Sequence, residues 1–440
     1  HHRFEHADEW TAKFDDPAAL RLTTIFAVIC LPQLFFYGLF TILGQVLNAN
    51  GRFAGFMWAP ALANVVAVAG LVWFMQAGYP SGASPADWTP AMIGILAGTA
   101  TLSIAIQALA LVIPLRRIGF RYRPVWGVRG HGLGEVSQVA KWTFGSLVVS
   151  QLGYVVTSRV LTGATERGKV LGESVSGLAA YQNAFLIVML PHGLITVSLV
   201  TALYTSLSEA ASRDDTRQVR RYHDQGLRLP AVIIVPGCVF LAVLAPYITS
   251  TFFFSNSLDQ TRAIAVVLSV IAWMAIPMSW TYLNDRVFYA HEMPWMSFRL
   301  QCVTTGVATV GAVVALQVEP ARTAMVLGAG QVLAFVVSAA VGFWVLRRMI
   351  GNLGLRSTAR TYVLLLLPAI VTAVGLLLAI GRLFPDLGET RGASGLLAGG
   401  LVLGAAGAIQ LGVTWGVASL LGVREISTAL QPVTRRLRRR

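Results

Sequence analysis

Eleven stretches of about twenty or more apolar residues run along the 440 positions, separated by short polar gaps. A helix needs about 20 apolar residues to cross a roughly 30 Å hydrocarbon core, and in lipid the backbone must satisfy its own hydrogen bonds. The pattern therefore predicts helices near 21–47, 55–77, 90–114, 137–162, 178–207, 227–254, 263–290, 299–318, 323–346, 360–383 and 394–422. The predicted fold class is all-α, a polytopic transmembrane helix bundle. Composition agrees: 55% of residues are hydrophobic and 12% charged, and the mean hydropathy is +0.65, a profile that excludes a soluble globular domain.

Charge orients the bundle. Counting Lys and Arg in alternate gaps puts 24 of the 34 basic residues on one face, among them Arg52, Arg116, Arg117, Arg121, Arg123, Arg129, Arg213, Arg217, Arg220, Arg221, Arg347, Arg348, Arg424 and Arg435 to Arg440. Positive charge stays on the cytoplasmic side, so the C-terminus is expected there and residues 1–20 outside. The chain then divides into an extracytoplasmic segment (1–20), helices over 21–207, a cytoplasmic loop (208–227), further helices over 228–422 and a basic cytoplasmic tail (423–440). The loop reads as a solvated connector or as a polar helix along the interface. Residues 1–20 are rich in Asp, Glu and His, lack a signal peptide and start with His rather than Met, so an odd number of upstream transmembrane helices is expected.

The net charge of +14 invites a nucleic-acid reading, but the arginines are spread over loops and a tail at one membrane face, and topology accounts for them. The tail Thr434 to Arg440 has a topogenic role or holds anionic lipid headgroups. Cys30, Cys238 and Cys302 all fall in predicted helices, which offers neither a disulfide framework nor zinc-ligand spacing, so no metal site is expected. There is no Walker loop, no nucleophile elbow and no dinucleotide fingerprint, and His291-Glu292 lacks the second His of a zinc helix. The expectation is a transporter rather than an enzyme, with no cofactor. Coupling to an ion or to the membrane potential stays open.

Three stretches carry a family resemblance: Leu31 to Val66 (LPQLFFYGLFTILGQVLNANGRFAGFMWAPALANVV), Leu190 to Ser208 (LPHGLITVSLVTALYTSLS) and Asn284 to Trp295 (NDRVFYAHEMPW). In this order they resemble the MviN/MurJ family of lipid II flippases, most of all its actinobacterial branch. The resemblance implies fourteen helices with both ends cytoplasmic, so the eleven here correspond to the fourth to the fourteenth. It implies a two-lobed exporter of the multidrug/oligosaccharidyl-lipid/polysaccharide superfamily in the bacterial plasma membrane. The cargo would be undecaprenyl-pyrophosphate-linked disaccharide pentapeptide, with cell-wall synthesis proteins as partners. The family's cavity arginines on its first two helices have no counterpart in this chain. Its Asp-Arg pair on the eighth helix is replaced by Tyr181-Gln182-Asn183-Ala184-Phe185 ahead of Pro191.

Polar residues inside apolar spans mark cargo pathways by default. Arg159 and Gln151, eight apart near one helical face, are candidate headgroup contacts, with snorkelling as the other reading of Arg159. Gln182 and Asn183 face the cavity or bond between helices. His192 follows Pro191, where a broken backbone ladder exposes carbonyls, and is a proton-coupling candidate or a simple hydrogen-bond partner. Asn64, four after Pro60, completes the cavity set. Asn48 and Arg52 sit at a cytoplasmic entry, and Asp285, Arg286, His291 and Glu292 gather at the cytoplasmic end of one helix as an inner gate or a static anchor. Gly395, Gly399, Gly400 and Gly404 form two GxxxG spacings, which serve close helix packing or, as the resemblance implies, a lipid-tail groove. Rival readings are an exporter of the same superfamily with other cargo, and a non-transporting scaffold for cell-wall synthesis.

Overall fold

The computed structural model describes residues 17–79, 84–120, 133–171, 175–388, 392–423 and 425–426, and among them it is helical without strands. The tail arginines 435–440, Arg424, Arg121, Arg123, Arg129 and most of the 1–20 segment lie outside the described residues. Eleven helical stretches are long and apolar enough to cross a membrane. The chain forms two compact units, 1–127 and 128–440.

The first unit contains α1 (Pro17–Cys30), α2 (Pro32–Ala49), α3 (Phe53–Gln76), α4 (Pro90–Ala110) and α5 (Val112–Arg117). Pro32 lacks an N–H and interrupts what is otherwise a single span from Pro17 to Ala49. The Ile29 carbonyl beside this break accepts the Thr101 hydroxyl at 2.8 Å, and Gln33 donates to the Thr101 hydroxyl at 3.0 Å, so α4 holds the bend. The chain turns from α2 to α3 at Gly51, whose φ of 68° is left-handed and favours glycine. A small core of Leu47, Ala59, Leu111 and Leu115 is closed by Phe40 stacked on Phe56 at 4.8 Å.

The second unit contains α6 (Leu133–Leu171), α7 (Leu178–Pro191), α8 (Ser198–Ser212), α9 (Thr216–Val243), α10 (Ala245–Phe252), α11 (Leu258–Ile271), α12 (Ala275–Ala290), α13 (Pro294–Ala315), α14 (Pro320–Ile350), α15 (Leu355–Leu383) and α16 (Gly392–Leu420). A π-helical turn, His192–Val197, joins α7 to α8 just past Pro191, as expected where a proline breaks the backbone ladder. The core is built from Leu161, Ala184, Val188, Val239, Leu244, Val267, Leu268, Ile271 and Met274. Lipid supplies no hydrophobic drive between helices, so close van der Waals fit does the work. At the α13–α14 crossing, a Cβ on Gly311 would lie 2.8 Å from the Gly330 Cα, so the two backbones touch.

Two segments differ in their bounds from the apolar pattern. The 208–227 segment, read as a solvated connector or a polar helix, is helical except for a turn at 213–215: α8 runs to Ser212, and α9 starts at Thr216 with the Asp215 carboxylate accepting the Gln218 N–H at 3.0 Å. The alternating charges there sit at helical spacing behind an N-cap, and the cap satisfies a free N–H group. The helix expected over 227–254 breaks at Leu244, because Pro246 in the first turn of α10 cannot donate to the preceding turn.

Candidate functional site

The long helix α6 packs on α13 through two glycines: Gly145 lies against the Phe298 ring and Gly153 against Thr305. This contact leaves two parallel exposed stripes on α6. One runs Leu147, Gln151, Tyr154, Ser158 at spacings of four, three and four; it is polar beyond its first member, and Ser158 at its end is half-buried. The other runs Val148, Leu152, Val155, Arg159 at the same spacings, and it is aliphatic up to its last member. On the neighbouring helix α7, the exposed Gln182 donates its Nε2 to the Tyr154 hydroxyl at 2.6 Å. The structure thus joins Gln151 and Gln182 on one polar surface and sets Arg159 on the aliphatic flank. Asn183 is half-buried beside them.

His192 lies elsewhere. It is buried at the π-helical turn, its ring edge-on to Tyr282 at 5.8 Å. In the same turn the Thr196 hydroxyl meets that of Ser279 at 2.7 Å in the interior. In the first unit, Asn64 is exposed on α3, one turn after Pro60. Asn48 is half-buried, Arg52 is exposed, and the Arg52 N–H donates to the Leu47 carbonyl at 2.9 Å, so both residues shape the α2–α3 turn.

Asp285 and Arg286 are adjacent on α12, and Arg286 is held by aromatic rings. The Arg286 guanidinium lies over the Tyr282 ring at 4.8 Å and the Tyr204 ring at 5.4 Å, and it donates to the Tyr282 hydroxyl at 2.6 Å. Cation–π contacts of this kind hold a guanidinium in place without a carboxylate. His291 caps α12 with Nδ1 2.9 Å from the Val287 carbonyl oxygen, and Glu292 takes a left-handed φ of 58° in the turn to α13. No salt bridge joins these four residues to one another among the described residues.

The sequence model of the MurJ lipid II flippase family matches residues 9–388. The chain belongs to the MurJ lipid II flippase family. The Lipid II flippase MurJ of Burkholderia cenocepacia is 25% identical over 262 residues, which cover 59% of this chain and 47% of that protein. The chain thus spans about half the length of the curated relative it matches. A solved lipid II flippase MurJ in an inward closed conformation superposes with a TM-score of 0.59 at 16% identity, covering 88% of this chain and 72% of that one. An inward-facing multidrug resistance MATE transporter of the MOP superfamily reaches 0.58 at 16% identity, covering 76% and 72%. These likenesses show a multi-pass exporter fold.

In this MurJ-family chain the two GxxxG pairs divide. Gly395 and Gly399 are buried, with Gly399 packed on Thr251 of α10, whereas Gly400 and Gly404 have open space and exposed Leu397 and Leu401 beside them. The sequence reading missed a buried polar node in the second unit. His223 on α9 meets the Asn284 Oδ1 at 3.1 Å, and both side chains are fully buried. Gly342 gives Asn284 its room: a Cβ there would lie 2.6 Å from the Asn284 Nδ2. One turn along α9, Arg228 pairs with Asp224 at 2.8 Å and with Glu425 at 3.0 Å, while Asp224 also accepts the Thr358 hydroxyl at 2.9 Å. Trp280 donates to the Tyr362 hydroxyl at 2.7 Å, and Tyr362 donates to the Leu227 carbonyl at 2.9 Å. Helically spaced polar residues at 216–228 were the available signal.

Proposed function

We propose that this protein moves lipid II from the inner to the outer leaflet of the bacterial plasma membrane by alternating access, with its C-terminus cytoplasmic. The observation that supports this most is the polar stripe of Gln151 and Tyr154 with Gln182, exposed within spans of a MurJ-family chain. Exposed amides at membrane depth are costly against hydrocarbon and favour a water-filled cavity. Arg159, at the end of the aliphatic stripe, reads as a snorkelling side chain with its stem in lipid and its head at the interface. Arg286, held by Tyr204 and Tyr282 rather than by a carboxylate, serves as the gate cation on α12, and Asn48 and Arg52 shape a turn in the first lobe. Gly400 and Gly404, with their open face between leucines, suit an isoprenoid tail.

The test is expression of the full-length protein in cells depleted of their own flippase, scoring lipid II exposed on the outer surface. Restored exposure supports cargo and direction together. A folded, membrane-inserted protein that restores none refutes the reading. A superfamily exporter with other cargo is the second reading, favoured by the nearly equal TM-scores to flippase and MATE folds, and loss of lipid II transport with retained export of another solute would establish it.

A further inference from the structure

Resting on the flippase reading, we propose that the Tyr154–Gln182 pair recognises the uncharged part of the cargo, its sugar hydroxyls and amides, and not its pyrophosphate. The argument is one of donors and acceptors. Gln182 donates one N–H to the Tyr154 oxygen, which leaves the Tyr154 O–H and the second carboxamide N–H as donors and the carboxamide oxygen as an acceptor. Hydroxyls and amides both donate and accept, so such a mixed face suits them. A pyrophosphate only accepts, and the Gln182 Oε1 would oppose it.

The surroundings agree. Gln151 adds a second carboxamide one turn before Tyr154 on the same stripe, and the half-buried Ser158 lies one turn after it, its hydroxyl donating to the Val155 carbonyl at 3.0 Å. None of Gln151, Tyr154, Ser158 and Gln182 is charged. Arg159 is on the flank with Val148, Leu152 and Val155. Tyr154 is 47% exposed, so its hydroxyl is available to a ligand rather than committed to the core.

The experiment compares binding of two ligands to the purified full-length protein by native mass spectrometry: lipid II, and undecaprenyl pyrophosphate, which carries the same lipid and pyrophosphate without sugar or peptide. Wild type is expected to prefer lipid II. The double variant Tyr154→Phe, Gln182→Leu should lose about tenfold of that preference, the worth of one or two hydrogen bonds, while its affinity for undecaprenyl pyrophosphate stays unchanged. Should the double variant fail to fold, Gln182→Ala at the exposed position carries the same comparison, and Gln182→Asn should restore part of the preference. Equal weakening toward both ligands, or an intact preference, overturns the proposal. Wild type that binds neither ligand overturns the flippase reading and this proposal with it.

Discussion

The second unit uses polarity in two opposite ways. In the node around His223, Asn284 and Arg228, polar groups pair with one another: the half-buried carboxylates of Asp224 and Glu425 meet a guanidinium, the buried His223 imidazole meets the Asn284 carboxamide, and a missing Cβ at Gly342 makes the space. Along Gln151, Tyr154, Ser158 and Gln182 polar groups face outward and keep unused donors and acceptors. Burial makes His223 and Asn284 part of the frame, since removing one leaves the other unpaired in a low-dielectric interior, and the half-buried ion pairs of Arg228 brace it. Exposure makes the second set available to cargo.

The sharpest way to break this comparison is at Arg228. Its loss leaves the half-buried Asp224 and Glu425 without their cation, and Arg228→Ala should cost about 2 kcal/mol of stability, read as a clear drop in Tm in detergent. An unchanged Tm would mean the network is not structural. Next comes Gly342→Val, which pushes a side chain onto Asn284 and should cost about 1–3 kcal/mol by overpacking; the paired change with Asn284→Ala should recover part of it. A smaller effect on stability but a clear one on function is expected at the stripe: Gln182→Ala should lower lipid II exposure in the depletion assay about tenfold, the worth of about 1.4 kcal/mol, with a melting temperature near that of wild type. If Gln182→Ala melts as early as Arg228→Ala, the distinction between frame and cargo surface fails. The smallest effect belongs to Arg159→Ala, expected to keep transport within about twofold, since a snorkelling surface charge contributes little. Abolished transport there, with part retained in Arg159→Lys, would return Arg159 to the headgroup site.

Legibility in the sequence varied by residue. Asp285, Arg286, His291 and Glu292 cluster in the sequence at one helix end, but successive residues on a helix diverge by about 100°, and the structure holds Arg286 against the Tyr204 and Tyr282 rings. His192 directly follows Pro191 in the sequence, and the backbone there is a π-helical turn. Its burial against Tyr282 depends on α12, ninety residues later in the chain, and no local pattern announces that. Tyr154 carries no motif in the sequence. Only its contact with Gln182 singles it out.

What the sequence determined by itself is the all-α class, the presence of eleven spans and the family, because apolar run length and motif order are local properties that the bilayer and the chain's own backbone bonding translate directly into helices. What the tertiary structure decided is azimuth. Gln151 and Arg159, eight residues apart, differ by about 80° around α6, and whether that angle separates two surfaces depends on which face Gly145 and Gly153 press against Phe298 and Thr305. The helix's own periodicity is the same whichever face is chosen, so only the packing partner chooses it.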